Sequence, residues 1–400
     1  MSGVPSARAA ARTRRLLIAF AAVALVAVRK SDSLLNPQFW AEDGALFFIE
    51  AEGYGGWFDL FRAYEGYLHF IPRFIAATAT ALPLEIVPGF YAGCALAVTG
   101  MVAWWLQSPR IPLPGGWVAA LAIGAVPHTG EVWLTTSNLQ WITALGLFAL
   151  VIVRDADTAT SRGGELGFLA ITGLTGPFII LALPMFLWRA IERRSRWSWI
   201  LCASAGIIAA CHLPSLLART QPAEVVPWAP WHHLAIAGRR TVGTLFFGHL
   251  ELNEMIAALL GLGFTAIIIP VLWQQRARLK GGLPLLFAAL VVLAATGYKA
   301  RPDTWTLSEL GNGDRYFFIP KVILLWLLAA LALTSHGRVR ITLVAAGVVA
   351  LAANAPRFFI PPAPDQHWST SCELIARGQP VWVPILPADS YMLHPGRRPR

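Results

Sequence analysis

The stretch that decides the fold reads LLIAFAAVALVAV at residues 16–28, an unbroken apolar run behind a basic N-terminal segment. Such a run, followed by many more along the chain, predicts a first membrane helix. Shortly after it, residues 39–44 read Phe-Trp-Ala-Glu-Asp-Gly, so Glu42 and Asp43 lie among aromatic residues where that helix should reach the membrane surface. Because carboxylates are costly to desolvate there, the pair indicates chemistry or a cation partner. The alternative is an ordinary solvated loop.

Composition defines the class of protein. Apolar residues make up 56% of the 400 residues, charged residues make up only 14%, and the formal net charge is +10. These values are typical of a polytopic membrane protein rather than a soluble one. Most of the positive charge is arginine in short loops, which fits membrane orientation and anionic headgroups better than nucleic acid. The lipid bilayer is therefore an expected partner, and nucleic acid is not.

Apolar runs recur along most of the chain. They lie near residues 16–34, 85–107, 116–127, 138–153, 165–190, 198–214, 254–274, 282–298, 316–334 and 340–355. The Gly-Pro break at 173–177 divides one run into two short helices. The shorter segment 67–83 carries His69, Pro72 and Arg73, which is more typical of an interfacial helix than of a span. The sequence therefore predicts an all-α transmembrane bundle of about eleven spans.

Basic clusters give the orientation of this bundle. Arginines and lysines at 189–196, 276–280 and 338–340 predict a cytoplasmic side, which places the N-terminus inside and the C-terminus outside. The Ala- and Arg-rich composition is associated with high-GC bacteria, so we expect a multi-pass protein of a bacterial inner membrane. The predicted organisation is a transmembrane domain over 1–355, whose first outer loop at 30–83 carries interfacial helices, and an extracytoplasmic tail at 356–400. At this length the tail is expected to lie against the outer loops rather than to fold alone.

Cysteine usage gives no structural framework. Three of the four cysteines lie in apolar segments, Cys372 is isolated, and no CxxC or Cys/His metal spacing occurs. We therefore expect neither a disulfide framework nor a structural zinc site. No cofactor is expected, and no second carboxylate motif at ligand spacing indicates another metal.

Polar and aromatic residues concentrate on the predicted outer face. The first outer loop holds seven of the 22 acids, interleaved with glycines and aromatic residues that suit a membrane interface or stacking against sugar rings. Further polar residues flank Trp133 and Trp141 between two predicted spans. Membrane anchoring and structural histidines are the alternatives. The candidates for binding an acceptor or sugar are Tyr64, Tyr67, His69, His128, Glu131 and Asn138.

Basic residues on the outer side depart from the usual charge bias, and an anionic ligand would explain them. Arg73, Arg301 and Arg315 each lie beside an apolar segment there. Arg315 begins a predicted helix, where its forked guanidinium and the free backbone N–H groups suit a phosphate. The alternatives are translocation of long loops regardless of charge and, for Arg315, a simple ion pair with Asp314.

The order of these motifs resembles the GT-C superfamily of polytopic glycosyltransferases, which includes protein O-mannosyltransferases and the aminoarabinose transferase acting on lipid A. The resemblance covers about residues 16–334. It runs from the acidic pair through YEGYL at 64–68 and LTGP at 174–177 to RYFFIP at 315–320. The chain departs from the family in having Glu-Asp where Asp-Glu is common, no lysine in the Thr-Gly-Pro segment, and no large soluble C-terminal domain.

This resemblance implies an inverting glycosyltransferase that takes a sugar from a polyprenyl-phosphate donor on the extracytoplasmic face. Asp43 is then the candidate base for the acceptor hydroxyl, with Glu42 as its alternate or as an acceptor-orienting group. Arg73, Arg301 and Arg315 are the candidates for the donor phosphate. The acceptor is an unidentified lipid, glycan or protein, and the scheme requires no metal.

Two other functions compete with this one. A transporter or flippase for a lipid-linked saccharide or another anionic lipid would also use outer charges, but it would place ionisable residues deep in spans and often show inverted repeats. The sequence shows neither pattern. A structural subunit without catalysis is the third alternative, and for it the Glu42-Asp43 pair would be dispensable.

Overall fold

The structure, a computed structural model, describes residues 3–54, 56–218, 229–299, 310–311 and 313–397. It is mostly helical with little sheet, in agreement with the predicted all-α class. The α-helices are α1 (Gly3–Arg29), α2 (Asp32–Leu35), α3 (Ile49–Tyr54), α4 (Phe70–Ala79), α5 (Val87–Leu106), α6 (Gly116–Ala125), α7 (Leu139–Ile152), α8 (Ala159–Gly173), α9 (Phe178–Arg193), α10 (Arg196–Leu217), α11 (Pro230–Gly238), α12 (Thr244–Phe247), α13 (Glu254–Gln274), α14 (Gly282–Lys299), α15 (Arg315–Thr334), α16 (Gly337–Asn354) and α17 (Trp368–Ala376).

Shorter elements complete the described chain. Two π-helices span Asp43–Phe48 and Arg239–Gly243, and 3-10 turns span Gly56–Asp59, Leu84–Ile86 and Ala355–Arg357. The strands form two antiparallel pairs, β1 (Ala63–Tyr64) with β2 (Tyr67–Leu68) and β3 (Val381–Ile385) with β4 (Ser390–His394).

Among the described residues, five helical segments are long and apolar enough to cross a bilayer. They are Leu84–Leu106, Arg196–Leu217, Glu254–Gln274, Arg315–Thr334 and Gly337–Arg357. Their length matches the roughly 20 residues that a bilayer core requires. The chain therefore has the character of a membrane protein, as predicted. Other apolar helices, such as α4 and α7, are shorter than this. The count of about eleven spans and the interfacial position of α4 stay predictions.

Helix α7 lies at the centre of the bundle. All of its residues are buried, and it packs against α5, α8, α9, α14 and α15. A helix that is apolar on every side exposes the least apolar surface to water when other helices surround it completely. This explains the central position of α7. The polar side chains at the start of α7 are thereby held among the ends of several neighbouring helices.

The predicted break at 173–177 is present and joins residues 30–83, the predicted first outer loop, to the bundle. α8 ends at Gly173 and α9 begins at Phe178. Gly176 has φ +122°, and a Cβ there would lie 2.6 Å from Oε1 of Gln140, so only glycine fits without rearrangement. Phe70 N donates to Leu174 O at 3.1 Å, which holds the start of α4 against this break.

The hairpin formed by β1 and β2 presents two aromatic residues together. Tyr64 pairs with Tyr67, and the turn residues Glu65 and Gly66 both have positive φ. Two consecutive positive φ values are the geometry of the tight hairpin turn that matches strand twist. The two tyrosines therefore lie next to each other at the entrance to α4.

The tail lies against the first outer loop. Leu386 N donates to Phe39 O at 2.9 Å, and Ala41 N donates back to Leu386 O at 2.5 Å. Trp368 packs edge-on against Phe39, with ring centres 5.0 Å apart, and donates through Nε1 to Leu84 O. These contacts place the tail over the segment that contains Glu42 and Asp43.

Glu52, an acidic residue of this loop, contacts the end of the tail. From this contact we expect the tail to loosen from the loop at acidic pH. Glu52 lies 3.2 Å from His394 Nε2, and Arg397 Nε donates to it at 3.0 Å. Burial raises the pKa of Glu52, but the hydrogen bonds from His394 and Arg397 outweigh burial and bring its pKa below the ordinary value. A carboxyl group whose pKa is lower in the folded than in the unfolded protein stabilises the folded state at pH values above its unfolded pKa of about 4.3. This contribution is lost as the pH falls through the folded pKa.

We therefore expect amide hydrogen exchange in residues 381–394 to accelerate when the pH is lowered from about 6 to about 3.5, after correction for the intrinsic pH dependence. Glu52→Gln should show faster exchange already at pH 6 and a smaller further change on acidification. Identical protection factors in both proteins at every pH would contradict this role for Glu52.

Candidate functional site

A cavity of about 310 Å³ opens where the first outer loop meets α7, α9, α14 and α15. We call it the loop cavity. Its lining combines charged, amide and aromatic side chains on one side with aliphatic side chains of α9 and α14 on the other. The lining residues are Glu42, Phe47, Tyr64, Glu65, Tyr67, His69, Ser137, Asn138, Gln140, Trp141, Pro177, Phe178, Leu181, Val292, Ala295, Thr296, Arg315 and Tyr316.

The loop cavity brings together many of the residues singled out from the sequence. Those that line it are Glu42, Tyr64, Tyr67, His69, Asn138 and Arg315. They come from four separate segments of the chain. Asp43, Arg73, His128 and Glu131 do not line it, and Arg301 lies outside the described residues.

Glu42 is one of two acids that line this cavity, the other being Glu65. Its side chain is half-buried and makes no hydrogen bond or ion pair with any described residue. Burial, and after it the Glu42 carboxylate, raises the pKa of Tyr64, so the acid and this phenol are close enough to interact. A carboxylate with open acceptor positions in a polar cavity can take a proton from a bound hydroxyl.

Asp43 has a different environment, although it is the next residue. It is 2% exposed, and its carboxylate accepts three hydrogen bonds, from Thr136 N and Oγ1 at 2.8 Å and from Ser137 N at 2.6 Å. Burial raises the pKa of Asp43 to about 6, although these hydrogen bonds lower it. Successive helical residues point about 100° apart, so one acid faces the cavity and the other faces the 136–137 backbone. Asp43 therefore joins the first outer loop to the segment before α7.

Arg315 is positioned by Glu131 rather than by its neighbour. Its Nη1 forms an ion pair with Glu131 Oε1, and its guanidinium lies 5.2 Å from the centre of the Tyr316 ring. The sequence left open a simple pair with Asp314. Instead, Asp314 is buried, 2.7 Å from Lys321 Nζ, and accepts from Thr129 N at 3.0 Å. Arg315 thus lines the loop cavity, and its guanidinium is held by Glu131, which does not itself line the cavity.

His128 is buried and packs against the rings of Trp133 and Phe318, with centres 5.3 and 5.5 Å away. Its Nδ1 accepts from Gly130 N at 2.9 Å, and its Nε2 lies 3.8 Å from a carboxylate oxygen of Asp314. Burial lowers the pKa of His128 to about 3, against the opposing effect of Asp314. This histidine supports the loop between α6 and α7 and does not reach the cavity.

Arg73 supports the cavity wall from outside. It is 3% exposed, its Nη1 lies 2.8 Å from Glu50 Oε2, and its guanidinium lies 5.3 Å from the centre of the Phe47 ring. Phe47 separates it from the cavity. Glu50 also pairs with Arg62 at 3.3 Å, so the first outer loop is held by a small ionic network.

This geometry predicts a structural effect for Arg73. Arg73→Met should lower the free energy of unfolding by about 2 kcal/mol, because it leaves a half-buried carboxylate with one cation fewer. If the chain uses the polyprenyl-phosphate sugar that the resemblance implies, the change should leave the KM for that donor within about twofold. The measurements are thermal unfolding in detergent and donor titration. A KM raised tenfold at an unchanged Tm would instead support the phosphate-binding role predicted from the sequence.

Several lining residues were not among the sequence candidates. Gln140 Nε2 lies 3.4 Å from the Tyr67 hydroxyl, and the Tyr67 ring stacks on His69 with centres 4.4 Å apart. Trp141 packs edge-on against Phe178 at 4.8 Å and Tyr316 at 5.1 Å. The sequence feature that could have indicated Gln140 and Trp141 is a Gln-Trp pair at the start of an otherwise apolar helix.

The side chains described here offer no evident metal centre, since within the described ranges no three His, Cys, Asp or Glu residues group closely enough to hold one. The arrangement instead offers an open carboxylate, a fixed guanidinium, amides and aromatic faces in one small cavity. Comparison with known protein families, curated proteins and solved structures finds no match to this chain.

Proposed function

We propose that this chain is a membrane glycosyltransferase that moves a sugar from a polyprenyl-phosphate donor to an acceptor hydroxyl on the extracytoplasmic face. The observation that carries the proposal is the joint presence of Glu42 and Arg315 on the wall of one cavity of about 310 Å³. A transfer from a phosphate leaving group needs a base for the acceptor and a cation for the departing phosphate. Glu42 could serve as the base and Arg315, the first residue of the apolar helix α15, as the cation.

The aromatic and amide side chains suit the sugar. Tyr64, Tyr67, Trp141 and Tyr316 all line the loop cavity, and their faces can pack against the C–H surface of a sugar ring. Asn138 lies beside them and offers both donors and acceptors to sugar hydroxyls. A cavity of this volume is at the lower end of small-ligand sites, as expected for one sugar residue.

The apolar wall suits the lipid. Phe178 and Leu181 of α9 face the same cavity as Val292 and Ala295 of α14. Arg315, the candidate for the donor phosphate, therefore shares the cavity with an apolar surface formed by two helices. Isoprene units next to the donor phosphate would bury apolar surface there, which favours a lipid-linked donor over a soluble one.

In the proposed reaction the acceptor oxygen attacks the anomeric carbon while the bond from that carbon to the phosphate oxygen breaks, which inverts the configuration. Glu42 takes the acceptor proton, and Arg315 compensates the charge that develops on the departing polyprenyl phosphate. Glu131 keeps Arg315 in place, because a paired guanidinium has lost most of its freedom before the donor arrives. Asp43 acts through structure, by holding Glu42 against the 136–137 segment.

The proposed binding of the donor phosphate by Arg315 can be tested by measuring the KM for the donor. In proteoliposomes supplied with labelled polyprenyl-phosphate sugar, Arg315→Gln should raise the KM for the donor at least about tenfold, since charge-assisted hydrogen bonds to phosphate contribute about 1.5–3 kcal/mol. Arg338→Gln, which removes an exposed arginine at the start of α16, is the control and should behave as the wild type.

Equal donor KM values in the two variants would rule out phosphate binding by Arg315. If the wild type carried the labelled lipid across the membrane without transferring its sugar, the flippase alternative would replace the transferase.

A further inference from the structure

A second, larger cavity lies at the other end of the same helices. It has a volume of about 970 Å³ and is bordered by the end of α7, the second half of α9 and the connection from α13 to α14. The loop cavity takes residues from the beginnings of α7 and α9 and from the end of α14, whereas this one takes the reverse ends. We call it the basic-end cavity.

Its rim carries cations that lack acidic partners. The side chains of Arg154, Arg276 and Lys280 line it and form no ion pair with any described residue. Asp155 also lines it, but its carboxylate is already held by Arg189 at 2.8 Å and Arg193 at 2.9 Å. Glu192 lines the cavity as well and forms no ion pair with a described residue. Three cations, Arg154, Arg276 and Lys280, thus face one unpaired acid, so the rim keeps a net positive charge that favours an anion.

Its walls are apolar and reach the exposed surface of the bundle. Met185 and Trp188 of α9 oppose Leu283 and Phe287 of α14 across the cavity. Trp188 is 43% exposed and Phe287 is 50% exposed. An inorganic anion would leave these walls uncovered, whereas a molecule with an anionic head and an apolar chain would cover both parts.

The position of the rim along the bundle matches the headgroup layer. The apolar span of α13 ends at Gln274, directly before Arg276, whose guanidinium lies 4.7 Å from the centre of the Trp273 ring. Tryptophan and arginine at the end of a span are typical of the membrane–water interface. Basic pockets between transmembrane helices at this level bind anionic lipid headgroups.

We propose that the basic-end cavity is a binding site for an anionic phospholipid of the surrounding bilayer. Its phosphate lies among Arg154, Arg276 and Lys280, and an acyl chain lies along Trp188 and Phe287. The positive rim, the apolar walls and the level of the span end all favour this occupant over a soluble anion. The inference does not depend on the sugar transfer proposed for the loop cavity.

The test uses the full chain purified in a neutral detergent and titrated with phosphatidylglycerol, with bound lipid counted by native mass spectrometry. The double variant Arg276→Gln/Lys280→Gln should bind it at least about tenfold more weakly than the wild type. The matched control is Arg338→Gln/Arg340→Gln, which removes the same charge from exposed positions at the start of α16 and should bind as the wild type. Phosphatidylcholine should bind to none of the three in this range.

Equal weakening in both double variants, or wild-type affinity in the cavity variant, would overturn the proposal. Competition by inorganic phosphate at the same concentration as the lipid would overturn the assignment to a lipid.

A second measurement tests the proposal even if the cavity variant fails to fold. In the wild type, phosphatidylglycerol with brominated chains should quench tryptophan fluorescence, and Trp188→Phe should remove part of that quenching. Unchanged quenching in Trp188→Phe would count against the site.

Discussion

Replacing Glu42 by glutamine is expected to reduce sugar transfer about 10²–10⁴-fold, the range that a positioned general base contributes. Glutamine keeps the size of the side chain but cannot take the acceptor proton. Because Glu42 is half-buried and has no hydrogen-bond partner among the described residues, the substitution should leave Tm unchanged. The measurement is the initial rate of label transfer from the donor in proteoliposomes, with the amount of folded protein determined in parallel.

Glu65→Gln provides the matched control for this change. Glu65 lines the same cavity from the turn between β1 and β2, and its substitution removes the same charge. We expect its transfer rate to fall less than tenfold, because Glu65 takes no proton in the proposed reaction. If Glu42→Gln kept a rate close to that of Glu65→Gln, Glu42 would not be the base.

Replacing Asp43 by asparagine is expected to act on stability instead, lowering the free energy of unfolding by about 2–4 kcal/mol. The Asp43 carboxylate is surrounded by three donated hydrogen bonds from Thr136 and Ser137. An amide would turn its own N–H2 toward one of these donors and leave it unsatisfied in a buried place. Thermal unfolding in detergent measures the effect, and transfer per folded molecule should stay within about tenfold of the wild type.

The two substitutions control each other, since they remove one acid each from adjacent positions. The structure-based expectation is an active but less stable Asp43→Asn protein and a stable but inactive Glu42→Gln protein. The reverse outcome, a stable and inactive Asp43→Asn protein, would return the base role to Asp43, as the family resemblance implies.

Much of the helical framework could be predicted because apolar runs are local signals. The runs at 138–153 and 254–274 correspond to α7 and α13, and the Gly-Pro break after α8 is present at Gly173–Pro177. A run of apolar residues predicts a helix wherever it packs. The number of spans does not follow in the same way, because helices as short as α7 can be buried inside a bundle without spanning it alone.

The candidate site was only partly predictable, because side-chain partners depend on segments far apart in sequence. The sequence could nominate both Glu42 and Asp43, but only the contacts with Thr136 and Ser137 distinguish their roles. Arg315 was expected either to bind phosphate or to pair with Asp314, and its partner is Glu131, 184 residues away. Arg73 was a phosphate candidate because of its position, and its burial behind Phe47 is a property of the fold.

The central claim is that the loop cavity holds the donor, and site mapping with a photoreactive polyprenyl-phosphate sugar tests it most directly. With a diazirine on the first isoprene units, we expect crosslinks in peptides containing 177–181, 292–296 and 315–316, which line the loop cavity. Excess unlabelled donor should remove them, and Arg315→Gln should reduce them. Competable crosslinks confined to 184–193 and 276–287, at the basic-end cavity, would contradict the account.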